Sequence, residues 1–527
     1  MNTTISNIDL SIIIGYLVLV MIIGLWVSAK TRGGDDLFLA GRRLGWVSIG
    51  FSLFASNISS TTLIGLAGAA YLWGIAVSNY EWMAAVALGI GCIIIIPLYL
   101  RAGVTTVPEF LEYRFDRRSR YYFSGLTLIA NVFIDTAGTL FAGAMVLKVF
   151  FPEIDLFMAC AMLALFAGIY TAAGGLAAVV YTDVIQAVIL LLGSSLVTWY
   201  TFAQVDFSWA YVVAQADPGQ LSLFLPNSDP NLPWLGALTG VPILGFYFWC
   251  TNQFITQRIL GAKNLQNARW GAIFAGFLKL TVLFIMVIPG VIASVFLPGL
   301  ENGDMVFPTL VKTLLPVGIM GIILAALVAA LMSSIDSTLN SAATLITVDF
   351  IKPNAKLSDA GTLWVGRAAI ILFMLVAVSF APLIANFEGL FNYLQVVLSY
   401  LMPPMAVLFS VGVLWRRGTA TGAFASLLIT HAVSVAIFLA NSVFEIIQLH
   451  FTLVAAILFL TGTIAFIIIS ELTRPAQIPG HEKHHSPYLF HRAMLRDAPG
   501  TPLWKNYLFL IALMFITTLI IVIPFCC

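Results

Sequence analysis

Charged residues are scarce in this chain, and their scarcity excludes most soluble folds. Only 9% of the 527 residues are Asp, Glu, Lys or Arg, whereas 60% are hydrophobic. An average soluble domain has about 25% charged residues, and no soluble core could hide so much apolar surface. The composition therefore indicates a protein whose outer surface meets lipid.

Cysteine is scarce as well, and the few cysteines have no metal-ligand spacing. They lie in apolar segments or at the C-terminal end, so we expect neither a disulfide framework nor a zinc site. Four histidines between His481 and His491 lie in a polar stretch, for which a solvated loop is favoured over a metal tract. The five cysteines are Cys92, Cys160, Cys250, Cys526 and Cys527.

Motifs of enzymes are missing too. No HExxH helix or phosphate-binding Gly-rich loop occurs, and no recognised motif pairs a nucleophile with a base. The longest polar segment, Glu471 to Trp504, is too short for a signalling domain. We therefore expect neither an enzyme nor a sensor.

Long apolar runs recur along the whole chain, each close to the ~20 residues that cross the hydrocarbon core of a bilayer. The first follows an N-terminus that lacks the pattern of a signal peptide, so we expect it to be retained. Polar interruptions predict an all-α polytopic membrane protein with about 14 transmembrane helices. The predicted spans lie near residues 9–29, 46–73, 80–100, 120–150, 155–173, 179–203, 233–258, 270–296, 318–348, 361–385, 388–414, 419–440, 444–471 and 504–525.

The basic residues give the spans a direction. Threaded from an outside N-terminus, 22 of the 25 Lys and Arg residues, Arg258 among them, fall on the cytoplasmic side. We therefore expect a multi-pass protein of the cell (inner) membrane with both termini outside. Of the three exceptions, Lys148 can snorkel and Lys312 lies in an outer loop. Lys279 sits deep in an apolar span, where an ammonium needs a polar cavity or a partner.

Other polar side chains also interrupt apolar spans. Glu81, Asp135, Asp183 and Asp336 each have to face the bundle interior, an aqueous path or an ion. An interfacial position or a hydrogen bond between helices is the alternative for any one of them.

Two spans are rich in small and hydroxylated residues. The stretch Gly50 to Gly65 predicts a broken helix, whose freed carbonyls are suitable ligands for Na⁺. In the ninth span, Ser333, Ser334 and Ser337 place hydroxyls at helical spacing. Packing of small residues between helices explains the serines equally well.

These residues belong to a set of motifs that closely resembles the sodium/solute symporter family, in particular its sodium-glucose cotransporter branch. The resemblance runs from about residue 35 to 420. Its motifs occur in order in many separate stretches, which makes it specific. The matching stretches are Phe38–Arg43, Ala55–Ser59, Tyr80–Trp82, Gly174–Asp183 with Gln186, Trp249–Arg258, Lys279, Leu331–Ser334 with Leu339–Ser341, and Tyr393–Gln395.

The resemblance implies a LeuT-like fold, in which two inverted repeats of five helices surround a site at the midplane. Residues 1–527 then form a single transporter domain. The leading helix is 9–29, the first repeat 46–203, the second repeat 233–414, and the three trailing helices lie in 419–525.

The resemblance also implies sodium sites. Backbone carbonyls and two serine hydroxyls would form the main site, and a possible second site would include a carboxylate that replaces a usually neutral side chain, Asp336. The main site maps to Ala55, Ile58, Ala330, Ser333 and Ser334. The possible second site maps to Asp183, Asp336 and Ser337.

A sugar pocket is implied with several departures. The polar residues that match are Glu81, Lys279 and Gln395, and the apolar walls that match are Trp249 and Phe391. The departures are Thr62 for a Gln or His, Gly245 for an Asn, Phe248 for a gating Tyr, and Asp135 for an Asn or Lys. They leave the identity of the solute open, because an unpaired buried polar group costs about 1–3 kcal/mol.

The expected function is sodium-coupled import of a small polar solute, most simply a monosaccharide, by alternating access. A polyol, an acidic sugar, an amino acid or an osmolyte is the alternative, and a cationic solute is favoured if Asp135 has no partner. Proton coupling through Asp183 or Asp336 is a further alternative. We expect a small solute, sodium and the bilayer as partners, without nucleic acid or an obligatory protein partner.

Overall fold

The computed structural model describes residues 5–29, 33–151, 153–300, 302–386, 390–474, 488–495 and 501–526. Within these ranges the chain is helical, and β-structure is limited to two isolated bridges. The first ten helices are α1 (Asn7–Ser28), α2 (Gly34–Leu39), α3 (Trp46–Asn57), α4 (Ser60–Trp73), α5 (Asn79–Ile90), α6 (Ile96–Ala102), α7 (Val107–Arg114), α8 (Arg117–Ile129), α9 (Ala137–Phe150) and α10 (Leu156–Ala203).

The second half of the chain continues the same all-helical pattern. Its first helices are α11 (Trp209–Gln215), α12 (Trp234–Phe246), α13 (Gln253–Leu260), α14 (Leu265–Leu280), α15 (Ile288–Phe296), α16 (Val306–Leu314) and α17 (Ile319–Leu345). Its last helices are α18 (Asp359–Phe380), α19 (Leu390–Leu401), α20 (Pro403–Leu414), α21 (Ala420–Phe438), α22 (Phe451–Leu472) and α23 (Tyr507–Val522).

Eleven helical stretches of the described chain are long and apolar enough to cross a membrane. A twelfth candidate consists of two helices bent by 48° at one break, Leu394–Leu401 and Pro403–Leu414. The protein is therefore a multi-pass helical membrane protein, as the composition predicts. The difference from 14 has two further sources. Thr62–Ala102 joins two predicted spans, and the predicted span 155–173 corresponds to the apolar helix Leu156–Ile169, which is too short to be counted.

Burial separates a central helix from peripheral ones. In the most apolar window of α17, 83% of the residues are buried, compared with 22% in α1 and in α23. α10 packs along α17, α1 and α3. The small residues of α17 allow these close approaches, and α1 and α23 present apolar faces to lipid.

Two spans are interrupted where they pass α17. α3 ends at Asn57, Ile58 has non-helical dihedral angles (φ −87°, ψ 81°), and the Ser59 side chain caps the start of α4. Gly50 to Gly65 therefore contains the predicted break. After α12, a π-helical segment (Tyr247–Thr251) is followed by extended backbone at Asn252 (φ −68°, ψ 128°) before α13 begins. Each break leaves backbone groups outside a helical ladder, which is tolerated in a membrane where the backbone lines a cavity.

A third irregularity divides the long helix α10. Gly175 has φ +59°, in the left-handed region that favours glycine. A Cβ atom at this position would lie 2.4 Å from the Leu37 carbonyl oxygen. The glycine therefore allows α10 to turn and α2 to approach its backbone.

Candidate solute and cation site

A cavity of about 130 Å³ lies beside the break between α3 and α4 and against the serines of α17. It is also lined by the first turn of α5, by α19 and by two π-helical segments, Ala130–Thr136 and Tyr247–Thr251. π-helical segments are rare and often occur at functional sites. Of the residues predicted to bind solute, those that line the cavity are Thr62, Glu81, Asp135, Phe248, Trp249 and Gln395.

Lys279, also predicted to bind solute, lies near the end of α14. It does not line the cavity but contacts Glu81, which does. Its side chain is 1% exposed, and its ammonium donates to the Glu81 carboxylate and to the Asn57 side-chain oxygen. The ammonium also lies 5.8 Å from the centre of the Trp249 ring. Lys279 thus has the partner that its depth in the membrane demands, and the partner is Glu81. Asn57, which sequence reasoning missed, joins the pair to the break after α3.

Thr62 lines the cavity, but its hydroxyl is already used in a hydrogen bond within the protein. Its hydroxyl donates to the Asn57 carbonyl at 3.0 Å, and its backbone N–H donates to the Ser59 hydroxyl at 3.2 Å. Both bonds satisfy groups at the helix break.

Gly245 also lines the cavity. A Cβ atom added at Gly245 would lie 3.5 Å from the Met83 side chain, so the cavity has room for a small group at this position.

Asp135 also lines the cavity and lies in the π-helical segment that follows α8. Its Oδ2 atom is buried and has no hydrogen-bond partner among the described residues. The Tyr247 hydroxyl, on the second π-helical segment, is likewise buried without a partner in the described chain. Two residues that line the cavity therefore each have a buried polar atom without a hydrogen-bond partner in the described chain. The side chain of the remaining predicted residue, Phe391, is outside the described residues.

The residues predicted for the main sodium site meet where α17 contacts the end of α3. The Ser334 hydroxyl lies 3.4 Å from the Ser56 carbonyl oxygen, and the Ser333 hydroxyl lies 3.3 Å from the Ser56 hydroxyl. Ala55, Ile58 and Ala330 are at most 1% exposed. Neutral hydroxyl and carbonyl oxygens are hard ligands that suit an alkali cation.

Asp183 from α10 lies directly behind these serines. It accepts hydrogen bonds from Ser333 at 2.5 Å, from Ser56 at 3.2 Å and from Ser52. This carboxylate is fully buried, so the hydroxyls replace the water that would otherwise solvate it. The network joins α3, α10 and α17.

Arg258 supplies a positive charge inside the same network. Its guanidinium lies 3.5 Å from the Asp183 carboxylate and donates to the hydroxyls of Ser56 and Ser337, and it is 0% exposed. The sequence predicts that Arg258 lies on the cytoplasmic side but does not predict its burial. Its only signal was its place at the end of the Trp249–Arg258 motif.

Asp336 is the remaining residue of the predicted second sodium site. It is fully buried on α17, three residues after Ser333. Its carboxylate is in electrostatic range of Tyr16 on α1, as is that of Asp183. The structure thus places both carboxylates near the leading helix.

A family model described as the sodium:solute symporter family matches residues 37–430. The chain belongs to the sodium:solute symporter family. It is therefore a sodium-coupled solute symporter, not an enzyme. The symporter is 33% identical to sodium/glucose cotransporter 1 of Oryctolagus cuniculus over 524 residues, which cover 89% of this chain and 79% of the relative. It is 37% identical to sodium/myo-inositol cotransporter 2 of Homo sapiens over 457 residues, 79% of this chain and 67% of the relative.

A solved structure of a Na⁺-coupled sialic acid symporter, in a substrate-bound outward-open state, is similar to the symporter in fold. The two chains are 24% identical, with a TM-score of 0.80 over 90% of this chain and 99% of the other. This similarity confirms the LeuT-like class of fold expected from the motifs.

Proposed function

We propose that the symporter imports a small polyhydroxylated solute of monosaccharide size through the cavity beside the α3–α4 break. The observation that carries this proposal is the cluster of Lys279, Glu81 and Asn57 at the cavity wall. The relatives named above as glucose and myo-inositol cotransporters support it, because both of those solutes carry several hydroxyls on a ring.

Together with Gln395, which lines the same cavity, the cluster offers both donors and acceptors to the hydroxyls of a solute. Each hydroxyl of a solute can donate to the Glu81 carboxylate and accept from the Gln395 amide. The pairing with Lys279 fixes Glu81 in one orientation, so less conformational entropy is lost on binding. Trp249 and Phe248 contact each other edge to face at 5.4 Å and supply the apolar wall.

Sodium would bind where α17 meets the end of α3. The proposed ligands are the carbonyls of Ala55, Ile58 and Ala330 and the hydroxyls of Ser333 and Ser334. A second cation at Asp183, Asp336 and Ser337 would compete with the Arg258 guanidinium, which donates to Ser337 and pairs with Asp183. We therefore favour one sodium ion per solute.

Alternating access would follow from the arrangement of the breaks. In the proposed division into 14 spans and two inverted repeats, 46–203 and 233–414, each repeat opens with an interrupted helix. The helix 9–29 would precede the repeats and 419–525 would follow them, in a single domain of the cell membrane with both termini outside. Sodium and solute would then bind between the repeats and favour closure of the outward-open state.

Transport by purified protein in proteoliposomes tests this proposal. The panel contains hexoses, myo-inositol, an acidic sugar and an amino acid, each with a sodium gradient, a proton gradient or neither. We expect sodium-driven uptake of a hexose, and uptake of myo-inositol instead identifies a polyol carrier. Transport of the amino acid alone, or uptake driven by protons and not by sodium, would contradict the proposal.

A further inference from the structure

The charges around the cavity do not balance. Two carboxylates line it, those of Glu81 and Asp135. One ammonium lies next to it, that of Lys279, and this ammonium already donates to Glu81 and Asn57. In the described chain, this leaves the Asp135 carboxyl, which lines the solute cavity, without a positively charged partner.

Asp135 is also placed to meet a ligand. Its Oδ2 atom has no hydrogen-bond partner among the described residues, and its segment, Ala130–Thr136, is π-helical. Thr139, one turn further along the chain, lines the same cavity. The Tyr247 hydroxyl, also without a partner in the described part of the chain, is in electrostatic range of Asp135. The Asp135 carboxyl and the Tyr247 side chain both line the cavity and give it an acidic side where a ligand can bind.

A buried carboxylate without a partner is costly, and a ligand that supplies the partner recovers that cost. An ammonium or a protonated ring nitrogen does so by a charge-assisted hydrogen bond, which is about twice as strong as a neutral one. An anionic solute meets like charge at Asp135, and a neutral sugar leaves its charge uncompensated.

We infer that the solute is a cationic, polyhydroxylated molecule of the amino-sugar class, whose nitrogen binds Asp135 while its hydroxyls bind Glu81 and Gln395. This inference rests on the proposed function and narrows its substrate class. The hydroxyl contacts at Glu81 set the size and stereochemistry of the solute, and Asp135 sets its charge.

Matched pairs of solutes test the charge preference in proteoliposomes with a sodium gradient. Each pair consists of an amino sugar and its neutral parent: glucosamine with glucose, galactosamine with galactose, and 6-amino-6-deoxyglucose with glucose. At a pH where the amines are protonated, kcat/KM is measured for both members. We expect the amino sugar to exceed its parent by at least about tenfold in at least one pair, which corresponds to about 1.4 kcal/mol.

Asp135→Asn then separates charge from hydrogen bonding. The amide keeps the size of the side chain and removes its charge, so the ratio of amino sugar to parent should fall by at least about tenfold. The matched control is Thr139→Val, which removes a hydroxyl from the same cavity without changing its charge and should leave the ratio unchanged. Sodium-dependent tryptophan fluorescence of both variants verifies that they are folded.

The outcomes distinguish this inference from the proposed function. Sodium-driven uptake in which the neutral parent is preferred in every pair overturns the cationic solute and leaves sugar transport intact. A ratio that Asp135→Asn does not alter overturns the role of Asp135. If neither member of any pair is transported with sodium, both the inference and the proposed monosaccharide transport fail.

Discussion

At the residue scale, Arg258 and Asp183 form a charge pair that is buried away from solvent. Both side chains are 0% exposed. Removing one member of such a pair leaves the other as an uncompensated buried charge, at a cost of about 3–5 kcal/mol. We expect Arg258→Met to lower the melting temperature of the purified protein. Adding Asp183→Asn should restore most of the loss, and a double variant no more stable than Arg258→Met would contradict the pairing.

Ser334 provides the test of the sodium site. Ser334→Ala removes one proposed hydroxyl ligand and no charge, so folding should be preserved while sodium stimulation of uptake is lost. Uptake measured against sodium concentration checks this expectation. Ser410→Ala is the control, because Ser410 bonds to the Ala406 carbonyl of its own helix and is not a proposed ligand. Unchanged sodium dependence in Ser334→Ala would exclude the residue from the site.

Single residues differed in how far the sequence revealed them. Lys279 was predictable because an ammonium deep in an apolar run is expensive wherever it occurs. The ion-pair partner of Lys279 could not be predicted, because the sequence offers both Glu81 and Asp135 as carboxylates. Only the packing of α5 against α14 decides between them. The burial of Arg258 was not predicted, because it lies near the end of its predicted span, where basic residues usually reach water.

At the scale of helices, Gly175 tests whether the close approach of α2 to α10 contributes to stability. Gly175→Ala combines a positive φ at ψ −155°, a backbone region occupied almost only by glycine, with a close contact to the Leu37 carbonyl, and we expect a loss of more than about 1–3 kcal/mol, the usual cost of such backbone strain alone. Gly103→Ala is the control for a positive φ, since Gly103 is a left-handed helix cap (φ +65°, ψ 21°) with open space around its Cβ position. Thermal unfolding of both variants should show the larger loss at Gly175. Equal losses would mean that the contact with α2 has no importance.

The elements show why one break was predicted and the other was not. The break in Gly50 to Gly65 was visible because small and hydroxylated residues fill the middle of a span. The break at Asn252 follows an aromatic-rich π-helical segment, Tyr247–Thr251, without glycine or proline. No local pattern marks π-helical geometry, which is stabilised by tertiary packing and not by propensity.

Coupling is a property of the whole molecule and gives a quantitative prediction. If sodium and solute bind the same outward-open state, sodium must raise solute affinity by the factor by which solute raises sodium affinity. Equilibrium binding of each ligand, measured with and without saturating amounts of the other, should return equal factors. Because reciprocity holds for any two linked sites at equilibrium, the informative result is the size of the factor, and a factor of one for both ligands would contradict the proposed coupling.

The architecture as a whole was predictable only in outline. Composition, apolar runs and motif order were enough for a helical membrane transporter of this family. The cavity was not, because its walls come from helices as distant in sequence as α3, α9 and α19, and no pattern within one of them specifies the others. Local spacing cannot show that Asp135 lines the cavity while Lys279 does not line it and is paired with Glu81.

The Arg258 guanidinium is part of the protein, and this affects the largest concentration ratio of solute that the cell can reach. A charge fixed to the protein returns with the empty carrier, so it adds nothing to the driving force. With one sodium ion, a tenfold gradient and 100 mV supply about 3.7 kcal/mol, enough to concentrate an uncharged solute about 500-fold. Two ions would raise that ceiling above about 10⁵-fold. A solute with its own positive charge draws on the membrane potential a second time, which raises the one-ion ceiling without another sodium ion.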